Sequence, residues 1–578
     1  MEKRVLLAVA LSFIVLYGYQ ALFPPPKPSP AGPSSNAPAA SASPSAQAGE
    51  SKPALPSTPS IAEAPAEPQP AALVGDSAER DIVVDNPAVH AVFTTRGAVL
   101  KSWTLKRYKD TAGAPLDLVP QIVKGAAKPF SLVTEDGPVS TTMRTALFKP
   151  SADALNVTSG AQTLSFEYRD AAGLSVRKDF TFQADQPYIV GFTASVTHNG
   201  TALNPTVHWG PALGNGVIER SGTYNPPPQP LFYKDGTVTR LKPNKIQGHP
   251  VEEGTFGFAG VDDHYFLTAS VDSAQAQHIE YLPVSVPIEG SETGANFVAW
   301  SARFASPPQD ARYFAGPKDF DVLAAIDHNL VRAIDFGMFS WLVVPLLRAL
   351  KWINGYLGNY GWSIIALTVL INLVMFPLRH KSVVSMRKMQ EVQPEVKAIQ
   401  DRYAKLKMSD PARQKMNVEL MNLYRERGVN PASGCVPMLL TLPVLFAFYA
   451  MLSVAIELRG APFIGWIKDL SIHDPLYVTP VIMGLTMLVQ QKMTPTSADP
   501  VQQKMMMFMP LVFTSMFVLA PSGLVLYWTV SNLWAIGQQA LTNKLIGPST
   551  ARAPRPAAER RVKSAGSGRT EQAGKERK

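Results

Sequence analysis

Residues 363–378 read SIIALTVLINLVMFPL, an apolar run that carries one amide, Asn372, and no charge. Four further apolar segments follow it: Val436 to Ile456, Leu476 to Val489, Met505 to Leu519 and Leu524 to Ala540. A helix crossing the hydrocarbon of a bilayer needs about 17 to 25 mostly apolar residues. The longest segment meets that outright, and the shorter ones need flanking aromatics or a thinned bilayer. Core helices of a water-soluble protein can look like the short ones singly. Five in one part of the chain, each bounded by Lys, Pro or Gly, are read as five membrane spans.

Charge orients them. The 578-residue chain carries a net +9, divided unevenly: 26 basic against 31 acidic side chains from Pro24 to Leu378, which leaves 28 against 14 elsewhere. Basic residues collect on the cytoplasmic side of membrane proteins, in short loops near the spans. Lys3 and Arg4, residues 379–427, residues 492–504 and residues 544–578 are basic and alternate with the apolar segments. The alternation fits one topology: N-terminus inside, Pro24 to Gly361 outside, then five crossings that leave the tail inside, six crossings in all.

Val5 to Leu22 follow a short basic region, so residues 1–23 are a cleaved signal peptide or an uncleaved anchor. No small-x-small site stands before Pro24, which favours the anchor; a later cut among the alanines is the alternative. Residues 24–70 are almost wholly Pro, Ala, Ser and Gly, a composition that buries too little surface to offset ordering entropy, and are expected to be a disordered tether. The single cysteine, Cys435, excludes an intramolecular disulfide framework. With no His or second Cys beside it, it reads as a buried, inert thiol.

Residues 71–315 change to period two. The runs IVVDNPAVHAVFTTRGAVLKSWTL (82–105), LSFEYRD (164–170), LSVRKDFTF (174–182) and YIVGFTASVTH (188–198) alternate apolar and polar residues. Ala171 to Gly173 forms the turn of a hairpin. Many short strands with Gly/Pro turns predict an antiparallel β-sandwich, here extracytoplasmic. Asp262, Asp263 and His264 invite a metal reading, but no matching His/Asp set with ligand spacing occurs elsewhere, and a solvated strand-end cluster is expected.

Residues 316–360 connect the two parts. Phe336, Phe339, Trp341, Leu342, Leu346, Leu347, Leu350, Trp352, Ile353 and Tyr356 have helical spacing, whereas Pro345, Arg348 and Lys351 interrupt any run long enough to cross. This predicts an amphipathic helix in the outer interface, with aromatics at headgroup depth. The five-span core, 361–546, contains a polar insertion at 379–430. Met386, Met389, Val392, Val396, Ile399 and Tyr403 recur at steps of three and four; Asp410-Pro411 then opens a second helix with Met416, Leu420 and Leu423 on one face. The result is a cytoplasmic helical hairpin with eleven basic and six acidic side chains from Lys381 to Asn430. Those charges are an ordinary solvated surface or a contact for something anionic, with Arg387, Lys388, Lys397, Arg402 and Lys405 as candidates. The tail, 547–578, is expected to be disordered; its basic residues serve either attraction to a phosphate backbone or topology alone.

Thr368 and Asn372 share one helical face, and Arg379 lies seven residues further along the same stripe. Polar side chains at membrane depth face a bundle interior or a wet cavity. A lone Asn also serves as glue between helices, worth about 0.6 to 2 kcal/mol. Gln490, Gln491, Ser531, Asn532, Gln538 and Gln539 add polarity near the inner halves of other spans and favour the cavity.

The runs RERGVNPASGCVPMLLTLPVLFAFYAML (425–452), APFIGWIKDLSIHDPLYVTPVIMGLTM (461–487), QQKMTPTSADPVQQKMMMFMP (490–510) and PSGLVLYWTVSN (521–532) resemble the YidC membrane protein insertases, relatives of the mitochondrial and chloroplast insertases. The resemblance is dense from Trp341 to Gly547 and looser before it, where it is to the Gram-negative type with a large periplasmic domain. It implies that the sandwich is a periplasmic supersandwich and the five spans an insertase core in the inner membrane. It also implies a function: moving hydrophobic segments of client proteins from the cytoplasm into that membrane, without nucleotide hydrolysis. The family's core is a groove open to cytoplasm and lipid, closed toward the periplasm, with an arginine in its first span. Aligned on Phe376-Pro377-Leu378, Asn372 stands where that arginine is expected. This departure removes a fixed positive charge and leaves an amide with no long-range pull.

The resemblance places Tyr527 and Trp528 opposite Thr368, so the expected client groove is Thr368, Asn372, Tyr527 and Trp528. A client's apolar segment would slide into lipid along Leu442, Pro443, Phe446, Met516 and Phe517, since Met-rich and aromatic surfaces repack cheaply; the plain alternative is lipid-facing or core packing. Implied partners are hydrophobic clients, lipid, the Sec translocon, and the ribosome through the tail and hairpin. No cofactor or metal is expected, and no chemical catalysis. The rival reading, a solute transporter or channel with a periplasmic accessory domain, predicts an inverted repeat, and none is visible. An envelope enzyme would need a constellation such as paired carboxylates in one cleft. No glycine-rich phosphate loop followed by Lys-Ser/Thr occurs, which argues against ATP-driven work.

Overall fold

The computed structural model describes residues 71–546, apart from 111–112, 122, 124, 214–225, 273–274, 287–294, 404–411, 430–435 and 495–499. The expected anchor (1–23), tether (24–70) and tail (547–578), together with Lys405 and Cys435, lie outside the described residues.

Strands form where the sequence alternates: Asp81–Asp85, Val89–Thr94, Val99–Lys109, Ala161–Asp170, Leu174–Gln183 and Ile189–His198 among them. The turn at Ala171 to Gly173 joins two of these in register, Ser175 opposite Arg169, with Gly173 at a φ of 85°. Among the described residues the strands build one sheet of eleven and two of five. Pairing is antiparallel except where Asp81–Asp85 runs parallel to Ala154–Asn156. This exception to the all-antiparallel expectation arises because the chain passes through several further elements before returning, the long connection a parallel pair requires.

Aromatic side chains fasten the sheets together. Phe93, in one five-stranded sheet, lies 4.7 Å from Phe180 of the large sheet. Trp209 and Trp300, in the other, stack at 5.8 Å and both reach Tyr313 of the large sheet. Such contacts add about 0.5–1.5 kcal/mol each beyond the area they bury. Leu174, Val176, Phe180 and Phe182 point into this core, and Lys178 occupies the inward position between them. Its ammonium donates to the carbonyls of Gly97 (2.7 Å), Ala98 (3.1 Å) and Phe130 (2.9 Å). Burial pushes it down to about 7, and three acceptors make the position tolerable.

The C-terminal region is helical: α1 Ser340–Leu357, α2 Tyr360–Tyr403, α3 Ala412–Glu426, α4 Val436–Val454, α5 Val478–Met493, α6 Pro500–Phe517 and α7 Ser522–Ile546. Helix α1 buries Val343, Leu346, Leu347 and Leu350 and turns Trp341, Trp352 and Tyr356 outward, ending at left-handed Gly358. Helix α2 runs for 44 residues through Pro377 and Pro394. Position 378, expected to divide span from hairpin, is therefore interior to one helix. By length and composition α2 alone, among the described residues, is long and apolar enough to cross a membrane; Leu442–Val454 and Met506–Phe517 are shorter apolar helices. Beyond Arg379, Val392, Val396 and Ile399 of α2 pack on Leu423 of α3 and on Val429, and Glu395 pairs with Arg427.

The sheets sit on the helices through a buried junction, which corrects one expectation. Asp262, Asp263 and His264 are not a solvated cluster. Asp262 is 1% exposed and pairs with Lys318 (3.0 Å) and Arg240 (3.2 Å). Asp263 accepts from the backbone N–H groups of Tyr265 and Phe266, and His264 Nε2 lies 2.7 Å from the Ser453 carbonyl in α4. The helical region covers part of this strand end, burying Asp262 and leaving Asp263 and His264 half-buried. No cluster suited to a metal occurs among the described residues. Arg459 lies over the Tyr265 and Phe266 rings, and Lys351 of α1 gathers Asp319, Asp321 and Glu457.

Replacing Lys178 with Met strands three buried carbonyls and is expected to cost about 2–4 kcal/mol, read as a lowered unfolding temperature of the purified protein. His264 carries a pH signature. Burial pulls its imidazole down to about 4, so between the ordinary value near 6.5 and that point the unfolded chain holds a proton the folded one lacks. Its contribution falls as pH drops through this window. Asp263 and Glu457, pushed up by burial, act in the opposite sense. His264→Gln is therefore expected to reduce the loss of Tm between about pH 7 and about pH 4.5; an unchanged loss would show that the imidazole is not responsible.

Candidate functional site

Helix α2 presents Thr368 and Asn372 one turn apart on its inner face, both buried. Each satisfies its donor on its own helix: Thr368 Oγ1 donates to the Ile364 carbonyl (2.6 Å), and Asn372 Nδ2 to the Thr368 carbonyl (2.8 Å). The free oxygen of the amide, Asn372 Oδ1, accepts Arg379 Nη1 at 2.7 Å. Helix α7 faces this stripe with Tyr527, Trp528, Ser531, Asn532, Gln538 and Gln539. Gln490 of α5 and Val444, Leu445 and Phe448 of α4 complete the walls of a cavity of about 390 Å³. Along α2 the lining runs from Thr368 to Val383, about 22 Å at the rise of an α-helix.

The walls divide by chemistry. Tyr527 stacks on Phe448 at 4.3 Å, and Trp528 lies against Phe513 and Phe517. Asn532 donates across to Thr486 of α5 at 3.2 Å, joining α7 to α5. Further along, Gln490, Thr494, Gln538 and Gln539 make the lining polar. Arg379 is the one charged side chain among the described lining residues, and no carboxylate faces it there.

All four residues expected in the groove, Thr368, Asn372, Tyr527 and Trp528, line this one cavity. Gln490, Ser531, Asn532, Gln538 and Gln539 join them, whereas Gln491 does not. Position 372 itself is uncharged, and the charge on this cavity's lining is that of Arg379, whose guanidinium donates to the same amide. Its place on the Thr368–Asn372 stripe was the available signal; Thr494 and Phe448 carried none.

Other expected residues separate. Phe446 and Met516 are exposed and Leu442 and Pro443 half-buried, but Phe517 is 4% exposed, 5.1 Å from the Trp528 ring, and belongs to the core rather than to a sliding surface. A run of apolar residues does not reveal which of them packs inward. Of the cations considered for recruitment, Arg387 donates to Asn543 of α7 and Arg402 pairs with Glu419 at 2.7 Å, so both are engaged within the chain. Lys388 and Lys397 are exposed. His380 Nδ1, 3.4 Å from Thr542 Oγ1, adds to the stitching between α2 and α7.

Two family models match, the YidC periplasmic domain over residues 81–349 and the 60Kd inner membrane protein over residues 352–549. The "Membrane protein insertase YidC" of Geobacter metallireducens is 39% identical over 575 residues, covering 96% of this chain and 100% of that protein. Its namesake from Geobacter sulfurreducens is 40% identical over 577 residues, covering 96% and 100%. A solved structure described as "Active YidC insertase crystal structure with the first transmembrane domain resolved" covers 81% of this chain and 93% of its own, at 18% identity and a TM-score of 0.33. Matched along nearly its whole length by such relatives and by both family models, the chain belongs to the YidC family.

Proposed function

We propose that the chain is a membrane protein insertase of the inner membrane that passes hydrophobic client segments from the cytoplasm into the bilayer by way of the α2–α7 cavity. The observation that carries this reading is the contrast between the two faces of α2. Inside, Thr368, Asn372 and Arg379 line a polar cavity; outside, Leu370, Leu373 and Val374 are exposed apolar side chains suited to lipid. A charged residue at the centre of a span costs about 2.5–3.5 kcal/mol on insertion scales. A water-filled notch reaching Asn372 shortens the hydrocarbon path that a client's polar end must cross, so no nucleotide is required.

The same reading makes α2, α4, α5, α6 and α7 five spans, which with the N-terminal anchor gives six crossings, both termini cytoplasmic and the sheets a periplasmic sandwich. The basic segments and the outward apolar faces of α5, α6 and α7 support it. Leu442, Pro443, Phe446 and Met516 are the proposed exit toward lipid. Exposed Lys388 and Lys397, with the basic tail, are the proposed contacts for the ribosome; the Sec translocon is a further proposed partner. A transporter needs access from both sides. Beyond Thr368 the cavity gives way to buried Ile364, Leu367, Leu524 and Val525, which favours a notch open at one end.

With Cys435→Ser as background, Ser531→Cys is expected to react with a membrane-impermeant thiol reagent from the cytoplasmic side, while Leu373→Cys does not; equal protection of both would sink the groove. Depletion of the protein is expected to stop a small two-span client from entering the membrane. Unaltered insertion of such clients would count against the insertase reading itself.

A further inference from the structure

Connections between helices ordinarily run through solvent and show it polar side chains. The connection from α4 to α5 does the opposite. Residues 461–477 turn Ile464, Trp466, Ile472, Leu476 and Tyr477 outward, each between 43% and 59% exposed. The charges of this segment are turned elsewhere. Asp474 is 1% exposed and accepts from Trp466 Nε1 (2.9 Å) and from the backbone N–H groups of Leu476 (2.9 Å) and Thr479 (2.8 Å). Asp469 accepts from the hydroxyl and the N–H of Ser471. Lys468 is exposed, and a lysine stem lies along apolar surface while its ammonium reaches toward headgroups.

The backbone is closed as well. The Leu470 N–H donates to the Ala461 carbonyl and the Phe463 N–H to that of Ile467, while the carbonyls of Ile472 and Leu470 accept from Ser522 and Gly523 at the start of α7. Asn359 Nδ2 takes the Phe463 carbonyl. Irregular backbone beside lipid persists where its polar groups are paired within the protein. Leu458, Ile467 and Leu470 are buried beneath, so the outward side chains ride on a packed base. At one end Trp362 stands 5.5 Å from the Phe463 ring and leads onto the exposed apolar face of α2, Leu370 and Leu373; at the other, Val481 and Leu485 carry the apolar surface along α5.

We propose that the α4–α5 connection is a lipid-binding surface, with Ile464, Trp466, Ile472, Leu476 and Tyr477 set among the glycerol and upper acyl groups of the outer leaflet. Tryptophan and tyrosine favour that zone, and Asp474 already satisfies the indole N–H that Trp466 would carry into it. The inference rests on the reading of α2, α4, α5, α6 and α7 as spans. It adds that the outer cap of the bundle is bordered by lipid rather than by water.

The test uses the full-length chain with Cys435→Ser and one added cysteine, labelled with the environment-sensitive fluorophore NBD and reconstituted into vesicles of phosphatidylcholine and phosphatidylglycerol. Probes at Ile464→Cys and Leu476→Cys are expected to emit to the blue of one at Thr237→Cys, exposed in the sheets. They are also expected to lose about half their emission to lipids spin-labelled high on the acyl chain, the depth of interfacial insertion being about 5–10 Å. Aqueous iodide is expected to quench the Thr237→Cys probe and to spare the other two. Probes at 464 and 476 that match the one at 237 and answer to iodide place the connection in water and overturn the proposal. Blue emission that no spin-labelled lipid quenches assigns the patch to a protein contact and also overturns it. A probe at Leu373→Cys, expected to answer to spin labels deep in the acyl chains, is the reference for a span; its failure to do so overturns the span reading instead.

Discussion

The backbone of α2 sets the frame for the helical region, its hydrogen-bond ladder interrupted only where Pro377 and Pro394 have no N–H to give. At its start Asn359 Oδ1 accepts from the N–H groups of Gly361 and Trp362, while Asn359 Nδ2 donates to the Phe463 carbonyl. Gly361 has no side chain because a Cβ there would stand 2.0 Å from the Phe463 ring. The helix is thus pinned where it follows α1, against the connection between α4 and α5, carries the groove stripe in its first half, and ends in the hairpin. In an apolar medium the backbone must satisfy itself, so a helix is the element able to carry polar side chains to that depth.

The polar residues of the groove fall into two kinds, distinguished by where their hydrogen bonds go. Asn532 bonds across to Thr486 and acts as glue between helices. Among the described residues the hydrogen bonds of Asn372 run along α2, to Thr368 and Arg379, and tie it to no other helix. That difference separates a residue kept for packing from one kept for the cavity it faces. The junction on the far side follows a similar logic: Arg459 and His264 each reach between sheets and helices, while Lys351 ties α1 to Glu457 beyond the end of α4.

Much of this was legible in the residues. Alternation located the strands, and the three-and-four spacing of Val392, Val396 and Ile399 located the face of the hairpin that α3 covers. The Thr368–Asn372–Arg379 stripe named one wall of the groove before any coordinates. What escaped depends on contacts distant in sequence. Lys178 breaks an apolar alternation and looks misplaced until the carbonyls of Gly97, Ala98 and Phe130 are brought to it. Asp262 reads as solvated until helices cover it. Phe517 and Met516 are neighbours of similar character, and only the position of Trp528 decides which is buried. Periodicity fixes which face a residue shares; it does not fix what that face meets.

The hairpin has a core of its own, Val392, Val396, Ile399, Leu423 and Val429, separate from the main one. It is nevertheless the same rod that carries Asn372, about 30 Å away along the axis. Hairpin and groove are thus joined by helix rather than by loops, with Pro377 and Pro394 as the two points where a missing backbone N–H lets that helix bend. Between the two, Arg387 and His380 brace α2 against the end of α7, so whatever displaces the hairpin must also strain these contacts.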